Sequence, residues 1–67
     1  MKLFSDGAKI KFKLMDGNIA FGTIEHSRMR YEEMVYYVKL DYPVKYTWRS
    51  EPTLNVMVNQ SSIIGEV

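Results

Sequence analysis

Residues 8–25 read AKIKFKLMDGNIAFGTIE, and that stretch decides the fold. Ile10, Phe12 and Leu14 alternate with Lys9, Lys11 and Lys13. Successive side chains of a strand point to opposite faces, so the apolar trio shares one face and the three ammonium groups the other. A helix would scatter both sets around its circumference. Asp16, Gly17 and Asn18 follow, residues that tolerate the positive φ angles of tight hairpin turns. The returning arm, 19–25, carries Gly22 in its middle. Glycine inside a strand marks a bulge, a bend or a place where another backbone passes closely. The expectation is a β-hairpin whose second arm kinks at Gly22, so that one strand can serve two sheets of a small barrel.

Working outward, residues 26–34 (HSRMRYEEM) show neither clean alternation nor a helical period. They read as a long loop or the twisted tip of a hairpin, with Arg28 and Arg30 pairing locally with Glu32 and Glu33. Residues 35–42 return to β character, Tyr36, Val38 and Leu40 on one face and Tyr37, Lys39 and Asp41 on the other. Pro43 cannot donate a ladder hydrogen bond and ends that strand or sits at a bulged edge. Residues 44–49 alternate again, with Val44, Tyr46 and Trp48 together, and Ser50-Glu51-Pro52 is a turn. In 54–59, Leu54, Val56 and Val58 point inward while Asn55, Met57 and Asn59 point outward. Gln60-Ser61-Ser62 is a short turn or one turn of 3₁₀ helix before a closing strand at 63–67. At the other end, Leu3 and Phe4 form a short apolar pair before a turn at Ser5-Asp6-Gly7. Short strands separated by turn signals, with no helix of useful length, indicate an all-β fold. Sixty-seven residues are too few for a seven-stranded sandwich, which leaves one domain, 1–67, built as a small five-stranded, partly open barrel with a loop or hairpin tip at about 26–34.

Composition narrows the function classes. The chain contains no cysteine, which removes disulfides, thiolate metal sites and thiol nucleophiles, and favours a reducing, cytoplasmic setting. No apolar run is long enough for a signal peptide or a membrane span. Nine basic and eight acidic residues give a net charge of +1, less basic than a dedicated nucleic-acid binder of this size. A chain this short buries only about 60% of its unfolded surface, so homo-oligomerisation that covers one face is a route to added stability.

The whole layout resembles the SH3-like small-barrel superfamily: a basic–apolar first strand after Gly7, Asp16-Gly17, then Gly22-Thr23-Ile24, a third strand YYVKLD, and VMVNQSSIIGEV as strand, 3₁₀ turn and closing strand. Tudor and KOW-type domains share this strand order, and the resemblance implies a barrel that binds peptides or nucleic acid through aromatic or basic loops. KFKLMDGNIAFGTI is similar to the first half of an Sm motif, although EHSRMR stands where Asp-x-x-x-Asn is expected. Plasmid-type dihydrofolate reductase is similar in layout, but its Val-Gln-Ile-Tyr segment is not matched at Asn55-Val56-Met57-Val58, so its activity is not carried over. Small chains without a catalytic set also resemble accessory proteins of phages and other mobile elements.

Catalysis has little to stand on. His26 is the only histidine and reads as a surface residue without an orienting partner. No Asp/His cluster has metal-ligand spacing, and the Gly17-x4-Gly22 spacing lacks the Lys-Ser/Thr and helix of a phosphate loop. No enzyme activity and no cofactor are therefore expected. The aromatic residues carry more information. Tyr31, Tyr36, Tyr37, Tyr42, Tyr46 and Trp48 are interleaved with Arg28, Arg30, Lys39, Lys45 and Arg49. Such sets stack bases or anchor protein interfaces, or simply fill a β core. Tyr36, Tyr46 and Trp48 are assigned to the core, Tyr31, Tyr37 and Tyr42 to the outside. Met15, Met29, Met34 and Met57 fall in turns, loops or outward positions, where flexible thioethers suit an adaptable surface, with Met34 equally suited to filling a gap in a thin core. The first reading is a protein-binding adaptor or stoichiometric inhibitor that uses Arg28, Met29, Arg30, Tyr31, Tyr37, Tyr42 and Arg49. The second is a nucleic-acid-binding barrel that uses Lys9, Lys11, Lys13, Arg28, Arg30 and Tyr37.

Overall fold

A computed structural model describes residues 4–67; the apolar pairing expected of Leu3 lies outside them. The chain is all-β. Strands β1 (Lys9–Lys13), β2 (Ile19–Arg30), β3 (Glu33–Val44), β4 (Thr53–Asn59) and β5 (Ile63–Glu66) form one antiparallel sheet in the order β4-β3-β2-β1-β5. A single 3₁₀ turn, Gln60–Ser62, joins β4 to β5. Among the described residues no helix is long and apolar enough to cross a membrane.

The sheet curls without closing. Val58 of β4 shares one core cluster with Ile10 and Phe12 of β1, although β2 and β3 separate these strands in the sheet. The two outermost strands, β4 and β5, do not pair with each other. The long β2 makes the curl possible. Its first half pairs with β1 through Lys9↔Thr23 to Lys13↔Ile19, and its second half pairs with β3 alone through Arg30↔Glu33. The register slips between Ile24 and His26, so the bulge sits at Glu25 and not at Gly22. Gly22 serves the other purpose expected of it, close approach: an added Cβ would lie 2.5 Å from Val38 Cγ1 and 2.6 Å from the Lys39 carbonyl oxygen. The β1–β2 turn is as read. Gly17 has φ +92°, Leu14 N–H donates to the Asn18 carbonyl at 2.7 Å, and Asn18 N–H donates to Asp16 Oδ1 at 3.0 Å.

Ile10, Phe12, Ile24, Tyr36 and Val38 are the most deeply buried side chains. All come from the periodicity-two pattern. Residues 26–34 form the tip of a hairpin, the second of the two readings of that stretch: 26–30 are strand, and a tight turn at Tyr31 and Glu32, both at positive φ (48° and 64°), closes it; the bulge at Glu25 interrupts the alternation that would have shown how far the strand runs. Three expectations fail, each for a physical reason. Residues 44–49 are not a strand of their own. β3 runs through Pro43 to Val44, and a turn then closes with Arg49 N–H donating to the Tyr46 carbonyl at 3.1 Å. Tyr46 is buried as assigned, but Trp48 stacks on its outer side (centroids 4.7 Å apart) and is 59% exposed, not core. Leu54, expected inward, is exposed. The β3–β4 ladder jumps from Lys39↔Asn55 to Val44↔Thr53, which carries Leu54 past the end of the core.

Candidate functional site

Cross-strand partners carry their side chains on one face, and this fixes which candidates meet. Tyr36 and Val38 point into the core, so Val35, Tyr37 and Lys39 face outward. Their partners on β2 and β4 are Arg28, His26 and Thr23 on one side and Asn59, Met57 and Asn55 on the other. The slip at Glu25 sets His26 opposite Tyr37, and the two rings stack 4.3 Å apart at 18°. Sequence reading placed His26 at the surface, where it is, but missed the pair, because a stretch read as a loop or hairpin tip carries no register.

Toward the tip, the outer face holds a shallow depression of about 210 Å³ lined by Arg30, Tyr31, Glu33, Val35, Met57 and Asn59. Val35, only 4% exposed, forms its apolar base. Arg30 lies across it: Nη1 donates to Met57 Sδ at 3.8 Å, and the guanidinium carbon is 5.7 Å from the centre of the Tyr31 ring. Tyr31 itself is 92% exposed. The Arg–Glu pairing expected to organise the tip is absent among the described residues. Glu33 instead accepts a hydrogen bond from Ser61 Oγ at 2.9 Å, and the tip is held by strand pairing and by this tie to the 3₁₀ turn.

Of the residues assigned to partner binding, Arg30 and Tyr31 line the depression, and Arg28 and Tyr37 lie on the same outer face of the hairpin. Met29 does not join them. It pairs with Met34 on the opposite face of the hairpin and is half-exposed there. Tyr42 stands exposed toward the far end of β3, and Arg49 lies beyond the turn that follows β3. Both are displaced from the tip by the length of the strand. Tyr37 is half-buried, by its stack with His26 and by its neighbours on the outer face.

The set read as a nucleic-acid surface has a different layout. Lys9, Lys11 and Lys13 lie opposite Thr23, Phe21 and Ile19 on the same outer face, which continues across β2 to Arg28, Arg30, Tyr37 and Lys39. Lys9 is partly spent, since its Nζ sits 2.7 Å from Asp41 Oδ2. Replacing Asp41 with Asn should lower stability by no more than about 1 kcal/mol, the usual worth of an exposed ion pair, as read by chemical denaturation.

A third feature lies at the free edge of the sheet. A cleft of about 520 Å³ opens between β4 and the end of β1, with Phe12, Leu14, Val56 and Val58 at its apolar base and Lys13 and Arg49 at its rim. Burial pushes the Tyr46 phenol above its ordinary pKa, Asp16 pushes it the same way, and Arg49 opposes them. Among the described residues no cluster of three or more His, Cys, Asp or Glu side chains could hold a metal ion. No protein-family model, curated protein or solved structure matches this chain.

Proposed function

We propose that the chain is a non-enzymatic protein-binding module of the adaptor or stoichiometric-inhibitor type, acting in a reducing, cytoplasmic setting, with the outer face of the β2–β3 tip as its contact surface. The observation that carries this reading is the depression over Val35. An apolar base is ringed by an arginine and a methionine on paired strands and by a tyrosine on the tight turn that joins β2 to β3. Tyr and Arg anchors around a small desolvated base are what concentrate binding energy in protein interfaces, and the flexible thioether of Met57 adapts the wall to an irregular partner surface. The absence of cysteine supports the compartment.

The test is the pair Arg28→Ala with Arg30→Ala. Both side chains are exposed, so the melting temperature should stay within a few degrees of the parent (surface changes cost about 0.5 kcal/mol or less). Affinity for the partner recovered with the parent chain should fall by at least about tenfold, the scale of losing interface anchors. Undiminished binding by a folded double variant would remove the tip as the interface.

One observation favours a second reading, a nucleic-acid-binding sheet. Lys11, Lys13, Arg28, Arg30 and Lys39 share the outer face, whereas Glu33 and Asp41 there already have partners. A chain of net charge +1 can thus present a basic surface. Binding to labelled single-stranded or duplex DNA should then weaken with salt at a log–log slope near −0.9 for each duplex phosphate neutralised. No detectable binding at low salt ends this reading.

A further inference from the structure

The cleft at the sheet edge has the makings of a second binding site. Among the described residues β4 pairs with β3 alone, so the other edge of its backbone offers ladder donors and acceptors to an incoming chain. The cleft runs along that edge and is lined by most of β4 together with the end of β1. Its charge is one-sided. Among the described residues Lys13 and Arg49 are the charged groups that line it, and no acidic side chain does. Asp16, near enough to act on the Tyr46 phenol, spends its carboxylate on Asn18 N–H and Nδ2. A buried polar group also faces it. Thr53 lines the cleft at 8% exposure, and its Oγ1 has no hydrogen-bond partner among the described residues. An orphaned buried hydroxyl is costly unless something arrives to satisfy it.

We propose that this cleft takes an extended acidic–apolar peptide segment of a partner protein, which adds to β4 as a further strand. Backbone hydrogen bonds to β4 supply affinity, as in other strand-addition complexes. Alternate apolar side chains pack over Leu14, Val56 and Val58, acidic side chains meet Lys13 and Arg49, and a peptide polar group satisfies Thr53 Oγ1. The site is separate from the depression over Val35, although β4 contributes a wall to both, and its test does not depend on the tip.

The experiment is a ¹⁵N–¹H titration of the full chain with a capped peptide of alternating Glu and Val, with its Lys–Val counterpart, and with the Glu–Val peptide methylated on its backbone nitrogens. The Glu–Val peptide should shift the amides of β4 and of Arg49, while the Lys–Val and N-methylated peptides bind at least about tenfold more weakly. Lys13→Glu with Arg49→Glu changes two exposed rim residues; it should leave the spectrum folded and weaken the Glu–Val peptide by about tenfold. Thr53→Val removes the orphaned hydroxyl at nearly constant shape. It should raise the melting temperature of the free chain and weaken the peptide. Unmoved β4 amides, shifts confined to Arg30 and Tyr31, equal binding of the acidic and basic peptides, or sedimentation showing that a second copy already occupies this edge would each overturn the proposal.

Discussion

Gly22→Val should produce a chain with no cooperative thermal transition. Gly22 is buried opposite Ile10 on one side and Leu40 on the other. The first added carbon would lie 2.5 Å from Val38 Cγ1 and 2.6 Å from the Lys39 carbonyl oxygen. A side chain can rotate away from such a contact, but the carbonyl belongs to the β2–β3 ladder and cannot move without breaking it. Even Gly22→Ala should cost about 3 kcal/mol, the upper range for overpacking a core. Valine adds two methyl groups in the same space. A chain of this length has roughly 3–10 kcal/mol in total, and each kcal/mol moves the melting temperature of such a small domain by about 4–8 °C. Gly65→Ala is the internal control, because none of the described residues lies within 4 Å of its added carbon; there the melting temperature should hold or rise slightly. A Gly22→Val chain that melts sharply near the parent temperature would mean that β2 and β3 are farther apart here than described.

The same pair of strands shows how far the sequence could be read. Strict alternation from Lys9 to Leu14 carries its own answer, because a one-residue slip would bury three ammonium groups. Gly22 announces a close approach since no other residue fits one. The information is local in both cases. Beyond Ile24 it is not. One unpaired residue at Glu25 reverses the facing of everything up to the tip, so a strand with a single bulge looks like a loop, and the His26–Tyr37 stack is invisible. The opposite error occurs after Pro43. Val44, Tyr46 and Trp48 alternate as a strand does, yet a neighbouring strand must be present for alternation to mean pairing, and beyond Val44 none remains. Pairing partners are set by the whole chain. Arg30 and Tyr31 were candidates from the sequence, and Met57 and Asn59 were read as outward-facing, but that these come together with Glu33 and Val35 around one depression depends on which strands pair, which no local pattern shows.

Tyr36→Ala should also abolish the folded state, and Tyr36→Phe should separate what the ring does from what its hydroxyl does. Tyr36 is fully buried. Its ring packs edge-on against Phe4, with centroids 5.8 Å apart. Its hydroxyl donates to Gln60 Oε1 at 2.7 Å and accepts from Phe4 N–H at 3.3 Å. One side chain in the middle of β3 thus joins the segment before β1 to the 3₁₀ turn before β5. Removing the ring should cost about 3–5 kcal/mol through lost burial and the cavity left behind, comparable with everything holding a domain this small together. The Phe variant keeps the ring and loses both hydroxyl bonds, so a smaller penalty of about 1–2 kcal/mol follows. That loss has a location. Hydrogen exchange should quicken most at residues 60–62 and at the start of β5, because the 3₁₀ turn there has no side-chain cap of its own and relies on the Tyr36–Gln60 bond together with the Ser61–Glu33 bond. Exchange that quickens evenly through all strands, or a Phe variant as stable as the parent, would show that the hydroxyl does not tie the two ends of the chain. The turn would then be held by Glu33 and the ladder between β1 and β5, and the depression over Val35, whose wall includes Glu33, would share a support with the closing strand.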